Sequence, residues 1–212
     1  MFRRVLKWLA LLPLILVGYH TTVRIIRHFY KFPMPQFLAG LIDNPLRRKI
    51  QPPELMAEKH GVRAGMTVLE IGPGNGRYSV AAAQLIGPMG WLHAIDIEPK
   101  MIERVRQRAA EAGITNIDAR VADAYNLPYP DDFFDAIYMI TVTGEIPEPV
   151  RAFREFHRVL KPGATLAVSE VLLDPDYPLA RTVTNWASEA GFGPVRQQGN
   201  FFAYTLTFAR PT

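Results

Sequence analysis

The residues best suited to bind a ligand lie in one short stretch, where three glycines alternate with other residues after an acid. Because glycine lacks a Cβ, such a turn lets the backbone approach a ligand closely and direct its N–H groups at it. Apolar residues before the stretch predict a buried strand, and the alanine-rich residues 77–86 after it predict a helix. The pattern therefore predicts a ligand site between a strand and a helix, formed by Glu70, Gly72, Gly74 and Gly76.

A second acid indicates that the ligand contains a ribose. Asp96 closes another apolar run, residues 91–95, and an acid at this position can accept hydrogen bonds from both ribose hydroxyls. A dinucleotide fingerprint would need its third glycine where Arg77 stands. An acid at Glu70 would also repel a pyrophosphate, whereas it suits a cofactor with an ammonium group. We therefore predict a nucleoside pocket; a structural glycine turn in another α/β protein is the alternative.

This combination of motifs resembles the class I S-adenosylmethionine-dependent methyltransferases, specifically their type 11 branch. The resemblance extends over roughly residues 52–210 and includes a third strand, Ile117–Val121, with an acid shortly after it. It implies that S-adenosylmethionine is the cofactor, that Asp123 meets the adenine amino group, and that the Ala124 N–H meets the adenine ring. The cofactor-binding residues that it implies are Glu70, Gly72, Gly74, Gly76, Asp96, Ile97, Asp123, Ala124 and Thr141.

The same resemblance places the methyl acceptor after the fourth strand, at residues 141–147. Glu145 stands where many relatives carry a histidine, and it is our candidate catalytic residue, orienting an amine or taking a proton. The alternative is that Glu145 only caps a helix starting at Pro147. The Asn/Asp-Pro-Pro-aromatic motif of enzymes that methylate amino groups of adenine or glutamine is absent here. We therefore expect no nucleic-acid substrate.

Composition narrows the chemistry further. The chain has no cysteine, which excludes disulfides, cysteine-ligated zinc and thiol nucleophiles, and we expect no metal site. The absence of cysteine also argues against the arsenic-methylating relatives, which the resemblance implies depend on cysteines.

Charge is distributed unevenly along the chain. Residues 1–50 contain nine basic residues and one acid, whereas residues 51–212 contain 15 basic and 19 acidic residues. The positive charge therefore belongs to the N-terminal segment.

The N-terminal segment has the pattern of a membrane helix. Residues 8–19 are uncharged, with Trp8 and Tyr19 at the two ends and basic residues on both sides. We predict a membrane anchor over residues 1–31, although the uncharged core is shorter than the ~20 residues of an ideal span. Two alternatives stay open: a cleaved secretory signal and a helix packed on the domain. A signal would export the enzyme away from its cytoplasmic methyl donor, and no small-x-small cleavage site follows Gly18.

Charge predicts the orientation of this anchor. Six of the nine basic residues follow the apolar core, which favours a cytoplasmic location for the rest of the chain. Residues 32–51 mix aromatic and basic residues, and we predict an interfacial linker, or a linker packed against the domain. Residues 52–212 would form the methyltransferase domain. Localisation is thus expected to be membrane-associated, with the catalytic domain facing the cytoplasm.

Alternation of strands and helices predicts an α/β fold, a doubly wound Rossmann-like parallel sheet with its ligand at the carboxyl edge. Residues 195–199 and 201–208 leave a single residue between two strands, so they must form an antiparallel final hairpin. The expected function is a membrane-anchored methyltransferase acting on a lipid-soluble acceptor, a phospholipid amine or a quinone-type ring. Two alternatives are a soluble small-molecule methyltransferase with an incidental anchor and a non-catalytic cofactor-binding membrane protein.

Overall fold

The computed structural model describes residues 51–212 except 173 and 175, together with the isolated positions 18, 21 and 22. The predicted anchor, residues 1–31, and nearly all of the predicted linker, residues 32–51, lie outside the described residues. In the part of the chain that is described, no helix is both long enough and apolar enough to cross a membrane.

Helices and strands alternate along most of the described residues, as in an α/β fold. The helices are α1 (Pro53–Lys59), α2 (Arg77–Ile86), α3 (Pro99–Glu111), α4 (Pro149–Val159) and α5 (Ala180–Glu189). The strands are β1 (Thr67–Ile71), β2 (Trp91–Asp96), β3 (Ile117–Val121), β4 (Phe134–Ile140), β5 (Leu160–Val171), β6 (Gly193–Gly199) and β7 (Ala203–Ala209). A 3₁₀ turn, Thr143–Glu145, lies between β4 and α4.

The strands form one mixed sheet of seven, in the order β3-β2-β1-β4-β5-β7-β6. The first five strands of this order are parallel to one another, and β7 is antiparallel to both β5 and β6. The predicted Rossmann-like sheet with an antiparallel final hairpin is therefore confirmed. The start of β7 differs from the prediction, because the Asn200 Oδ1 accepts the backbone N–H groups of Phe202 (2.9 Å) and Ala203 (3.3 Å). This turn leaves Phe201 and Phe202 outside the strand.

The start of α4 also differs from the sequence expectation. The helix begins at Pro149 with Glu148 in the N-cap position, not at Pro147. Both prolines suit the first turn of a helix, since their missing N–H would have no partner there. The 3₁₀ turn that ends at Glu145 occupies the chain just before, and it moves the start of the helix to the second proline.

The core lies on both faces of the sheet. Successive strand residues point to opposite faces, and here both are buried: Leu69 and Ile137 belong to one cluster, whereas Val68 and Tyr138 belong to the other. Helices cover each face, as parallel sheets require. The covered faces leave the carboxyl edge of the strands as the place where a ligand can reach the backbone.

Candidate functional site

The register of the parallel strands brings the predicted site residues to one edge. Ile71, the last residue of β1, is level with Ile95 in β2 and with Met139 in β4. Asp96 is level with Val121, the last residue of β3. The residues that follow these strand ends therefore share the carboxyl edge of the sheet; they are Gly72, Ile97, Asp123, Ala124 and Thr141.

The three glycines after β1, Gly72, Gly74 and Gly76, differ in their surroundings. All three have positive φ angles, 66°, 54° and 77° in chain order. A Cβ on Gly72 would lie 2.5 Å from Val142 Cγ2, and a Cβ on Gly76 would lie 2.9 Å from Val105 Cα. A Cβ on Gly74 would meet no atom within 4 Å. Gly72 and Gly76 are thus needed for close packing, whereas Gly74 borders open space that a ligand can fill.

Glu70 lies beneath this turn, not on its surface. Its side chain is 2% exposed, and its Oε2 accepts a hydrogen bond of 2.5 Å from the Ser79 hydroxyl in the first turn of α2. Burial raises the pKa of Glu70 to about 7; the Ser79 and Tyr138 hydroxyl groups oppose this shift, and the nearby Asp96 adds to it. The carboxyl group therefore holds the start of α2 against the end of β1.

A buried polar layer stands behind Glu70. The Tyr138 ring stacks on His60 with 5.1 Å between ring centroids. His60 Nε2 and the Ser169 hydroxyl form a hydrogen bond of 2.7 Å, and Ser169 bonds to Thr205 at the same distance. Burial, with a smaller contribution from Lys59, lowers the pKa of His60 to about 3. His60 is therefore neutral and places no positive charge in this layer.

Two acids, the half-buried Asp96 and the exposed Asp123, lie at the carboxyl edge of the sheet beside the glycine turn. The Asp96 Oδ1 accepts the backbone N–H two residues further on at 2.9 Å, and burial raises the pKa of this carboxyl. The exposed Asp123 Oδ1 accepts the Tyr125 N–H in the same way, also at 2.9 Å. Such turns fix the direction of an aspartate side chain. Ile97 is largely exposed beside Asp96, and Ala124 packs partly against the core.

Thr141 has an unusual backbone conformation at the end of β4. Its φ is 55°, in the left-handed region that β-branched residues rarely adopt. Its N–H donates to the Ser169 carbonyl at 2.8 Å, and its hydroxyl donates to the Ile140 carbonyl at 2.7 Å. These bonds hold a strained residue at the edge, which is a frequent property of functional sites. Sequence reasoning selected Thr141 by resemblance and gave no sign of this conformation.

Glu145 is the last residue of the 3₁₀ turn and is partly buried. Its backbone N–H donates to the Val142 carbonyl at 2.9 Å. Because α4 begins at Pro149 with Glu148 in the N-cap position, the expectation that Glu145 caps a helix starting at Pro147 is wrong. Its role in the chemistry stays a prediction.

Glu170 is a further carboxyl group at this edge, and sequence reasoning missed it. It is 1% exposed near the end of β5, and its Oε1 accepts the Thr143 N–H at 3.2 Å. Its neighbour in the sheet is Tyr204, whose pKa is raised by burial and further by the charges of Glu170 and Tyr177. The signal was available, since Glu170 is an acid near the carboxyl end of an apolar strand, as Glu70 is.

Large apolar side chains are exposed at the same edge. Phe201 and Phe202, in the turn between β6 and β7, are 58% and 66% exposed, and Leu179 is 49% exposed. The turn lies at the carboxyl edge because Ala203, which follows it, is level with Val171 at the end of β5. Exposed apolar groups concentrated at a ligand edge indicate an apolar partner or ligand.

An open glycine turn, an acid at the next strand end and a mixed seven-stranded sheet together define an α/β domain that fits S-adenosylmethionine. The sequence profile of the family described as "Methyltransferase domain" matches residues 63–202. The chain belongs to this family, within the class I S-adenosylmethionine-dependent methyltransferases, and S-adenosylmethionine is the family's cofactor.

Curated relatives match about half of the chain. The arsenite methyltransferase of Halobacterium salinarum is 33% identical over 114 residues, 54% of this chain and 29% of that protein. The ubiquinone/menaquinone biosynthesis C-methyltransferase UbiE of Pseudomonas putida is 38% identical over 114 residues, 53% of this chain and 44% of that protein. The demethylmenaquinone methyltransferase of Listeria monocytogenes is 32% identical over 124 residues, 58% and 52% of the two chains. The chain thus spans about half or less of these relatives' length.

Solved structures show the same fold. A SAM-dependent methyltransferase from Aquifex aeolicus has a TM-score of 0.77 at 24% identity, covering 83% of this chain and 98% of that one. The [4+2]-cyclase SpnF has a TM-score of 0.67 at 23% identity, covering 76% and 81% of the two chains. Because these two proteins are named for different reactions, the shared fold does not by itself define the chemistry.

Proposed function

We propose that the protein transfers the methyl group of S-adenosylmethionine to a lipid-soluble acceptor, and that this acceptor carries a quinone-type ring or a phospholipid amine. The observation that carries this proposal is the exposed apolar group of Leu179, Phe201 and Phe202 at the cofactor edge. Such side chains can hold a hydrocarbon chain and exclude water from the reacting groups.

Contacts connect this apolar group to the loop that carries Glu145. A Cβ on Gly144 would clash with the Asp176 carbonyl oxygen, so the 3₁₀ turn packs directly against the segment after β5. In that segment the Tyr177 hydroxyl donates to the Phe201 carbonyl at 2.5 Å. An acceptor held at Phe201 would therefore lie next to the loop that carries Glu145.

When bound, S-adenosylmethionine supplies an electrophilic methyl group on a sulfonium. Asp96 would accept hydrogen bonds from the ribose hydroxyls, and the backbone at Gly74 would lie against the nucleoside. Glu145 would orient the acceptor or take its proton. Methyl transfer is an in-line displacement, so the protein contributes chiefly by positioning the two reactants.

The relatives' names favour a quinone-type ring over a phospholipid amine. Those of Pseudomonas putida and Listeria monocytogenes are named for quinone methylation, and the P. putida protein is named a C-methyltransferase. The Halobacterium salinarum relative is named for arsenite, but the present chain has no cysteine. The arsenic chemistry that the resemblance associates with cysteines therefore has little support here.

The proposed location follows from the acceptor and the donor together. We propose that residues 1–31 anchor the protein in the membrane and that residues 32–51 lie at its surface. The catalytic domain would face the cytoplasm, where the methyl donor is made. The uncharged residues 8–19 and their basic flanks support this arrangement. Nucleic acid is not part of the proposal, because residues 51–212 have more acids than bases.

The test is to incubate the full-length protein with methyl-labelled S-adenosylmethionine and either a total membrane-lipid extract or an aqueous small-molecule extract. Label should appear in the lipid phase, in the quinone-containing fraction. Asp96→Ala should lose most of this label, whereas Glu103→Ala, which removes an exposed carboxyl group from α3, should retain it.

Two other results would contradict the proposal. Label found only with the aqueous extract would favour the soluble small-molecule alternative. Cofactor binding without label in either extract would favour the non-catalytic alternative.

A further inference from the structure

Leu179, Phe201 and Phe202 are exposed apolar side chains in the segments next to the end of β5 and the start of β7, and we call them the aromatic tip. The Phe201 and Phe202 rings contact each other edge to face, with 5.8 Å between centroids. Tyr177 supports the Phe201 ring from the protein side, at 6.1 Å between centroids. The two phenylalanine side chains are thus exposed to solvent, and the Tyr177 ring that supports Phe201 is buried.

The backbone of the aromatic tip is held by hydrogen bonds on several sides. The Leu172 N–H donates to the Phe202 carbonyl at 2.8 Å, and the Tyr204 hydroxyl donates to the Pro178 carbonyl at 2.7 Å. With the Asn200 turn and the Tyr177–Phe201 bond, these contacts fix the tip to β5 and to the segment before α5. Because these hydrogen bonds already order the backbone of the tip, it loses little conformational entropy when it binds, and the free-energy cost of binding is smaller.

Two arginines lie in the elements that adjoin the aromatic tip; Arg196 is level with Thr207 in the final hairpin, four residues before Asn200. Arg181 is exposed in the first turn of α5, two residues after Leu179. Arg196 is exposed on β6, and its Nε donates at 2.8 Å to the Gln198 amide oxygen when that amide is oriented to accept it. Within the described part of the chain, neither arginine forms an ion pair. Of the acids in the segment before α5, Asp174 is buried and Asp176 is partly buried.

We propose that the aromatic tip is a membrane contact. Phe201 and Phe202 insert at the boundary of the acyl chains of an anionic bilayer, and Arg181 and Arg196 pair with phosphate headgroups. Exposed aromatic side chains in the same region as basic residues that form no ion pair with described residues have the chemistry of interfacial attachment. The positive charges of Arg181 and Arg196 complement the phosphate groups of an anionic bilayer, and for this reason we assign the surface to a membrane.

This contact gives the proposed function a route for its substrate, and in that respect it rests on the proposed function. The aromatic tip is at the carboxyl edge of the sheet, so its insertion turns the cofactor site towards the bilayer. A lipid-soluble acceptor can then reach the loop carrying Glu145 without crossing water. The contact is separate from the predicted anchor at residues 1–31, and both can operate in one molecule.

The absence of cysteine makes a direct test possible in the full-length chain, because one introduced cysteine can be labelled alone. We would label Phe202→Cys with an environment-sensitive fluorophore. The matched control is Met89→Cys, which is 86% exposed at the opposite edge of the sheet, between α2 and β2. Vesicles of phosphatidylcholine with phosphatidylglycerol are then added, with and without a nitroxide on the acyl chains.

The label at residue 202 should shift to shorter emission wavelengths and be quenched by the acyl-chain nitroxide, whereas the label at residue 89 should do neither. Replacing Arg181 and Arg196 by glutamine should weaken binding to anionic vesicles, measured by the fluorescence shift at residue 202, roughly fivefold for each arginine replaced. An unchanged response would overturn the role assigned to the arginines.

No shift at residue 202, or equal shifts at both positions, would overturn the membrane contact. A shift at residue 202 that needs no vesicles and grows with protein concentration would show a second copy on the tip instead, and would also overturn it. None of these readouts requires turnover. Label transfer to the lipid extract without insertion would therefore refute only the contact and leave the proposed function standing.

Discussion

Two acids at strand ends, Glu70 and Glu170, have similar burial and serve different parts of the site. Glu70 accepts a hydrogen bond from Ser79 in α2, and Glu170 accepts one from the Thr143 N–H in the loop after β4. Both carboxyl groups are almost inaccessible to solvent. At the scale of residues, they position the two loops of the site, while the more exposed Asp96, Asp123 and Glu145 are accessible to a ligand.

Glu70 gives a prediction about pH. Burial raises its pKa from 4.5 to about 7, so the folded protein binds a proton that the unfolded chain has lost. The stabilisation from Glu70 is complete below pH 4.5 and is lost as the pH rises through 7. Glu70→Gln removes this dependence. The free energy of unfolding of the wild type relative to the variant should fall by on the order of 2–3 kcal/mol across this window.

Urea unfolding of the cofactor-free protein at several pH values measures this difference. A constant difference between wild type and variant across the window would show that Glu70 is ionised throughout.

Glu145 gives a prediction about catalysis. Glu145→Gln keeps the size and hydrogen bonding of the side chain and removes its charge. If Glu145 takes a proton or orients a cationic group, the turnover number should fall about 100-fold, with little change in cofactor affinity. Glu148→Gln, an exposed acid three residues further on, is the control and should keep its rate. Equal rates for both variants would remove Glu145 from the chemistry.

At the scale of elements, the loop between β4 and α4 depends on its neighbours in the sheet. The Thr141 N–H and the Thr143 N–H both bond to residues of β5, and Gly144 packs against the backbone at Asp176. The loop that carries Glu145 is therefore shaped by β5 and the segment after it, which lie about 30 residues further along the chain.

Glu170→Ala tests this dependence. It leaves the buried Thr143 N–H without its acceptor, a loss of about 1–3 kcal/mol. We expect kcat/KM for the acceptor to fall about tenfold or more, while calorimetric affinity for S-adenosylhomocysteine is unchanged. Glu170→Gln, whose amide oxygen can accept the same hydrogen bond, should restore most of the activity. Loss of cofactor affinity in Glu170→Ala, or no rescue by glutamine, would refute the assignment of Glu170 as a positioning residue.

The parts of the fold that sequence predicted are those that local patterns determine. The strand, glycine turn and helix around Gly74, and the final hairpin, follow from periodicity, spacing and chain length between strands. The left-handed Thr141 and the Glu170–Thr143 bond could not be predicted, because they depend on the adjacency of β4 and β5 in the sheet. The start of β7 was misplaced because Phe201 and Phe202 have the composition of a strand, and the Asn200 hydrogen bonds hold both residues in the turn before it.

At the scale of the whole molecule, positive and negative charge are divided unevenly along the chain. The first 50 residues have nine bases and one acid, and the remaining residues have 19 acids and 15 bases. A negative domain next to an anionic membrane would be repelled unless specific segments attach it. The basic N-terminal segment and the aromatic tip with its two arginines are the two places proposed to provide that attachment.

Deleting residues 1–30 tests the first of these places. The core clusters of the described residues and the predicted cofactor-site residues lie within residues 51–212, so the shortened protein should keep its affinity for S-adenosylhomocysteine within about twofold. Turnover on an acceptor dissolved in vesicles should fall by roughly 10²-fold or more, because the effective concentration is lost. Turnover on a short-chain, water-soluble analogue should change little. Equal losses on both acceptors would show that the segment supports the site structurally.

The most direct test of a cofactor site at the glycine turn is the affinity of the protein for S-adenosylhomocysteine when a glycine of the turn is replaced. Gly74 and Gly113 have similar φ angles, 54° and 67°, and neither has an atom within 4 Å of a built Cβ, but only Gly74 lies at the carboxyl edge. Gly74→Val and Gly113→Val should therefore introduce the same backbone strain. In calorimetric titration with S-adenosylhomocysteine, Gly113→Val should bind as the wild type does, and Gly74→Val should bind at least about tenfold more weakly. Equal affinity in both variants would contradict a cofactor site at this turn.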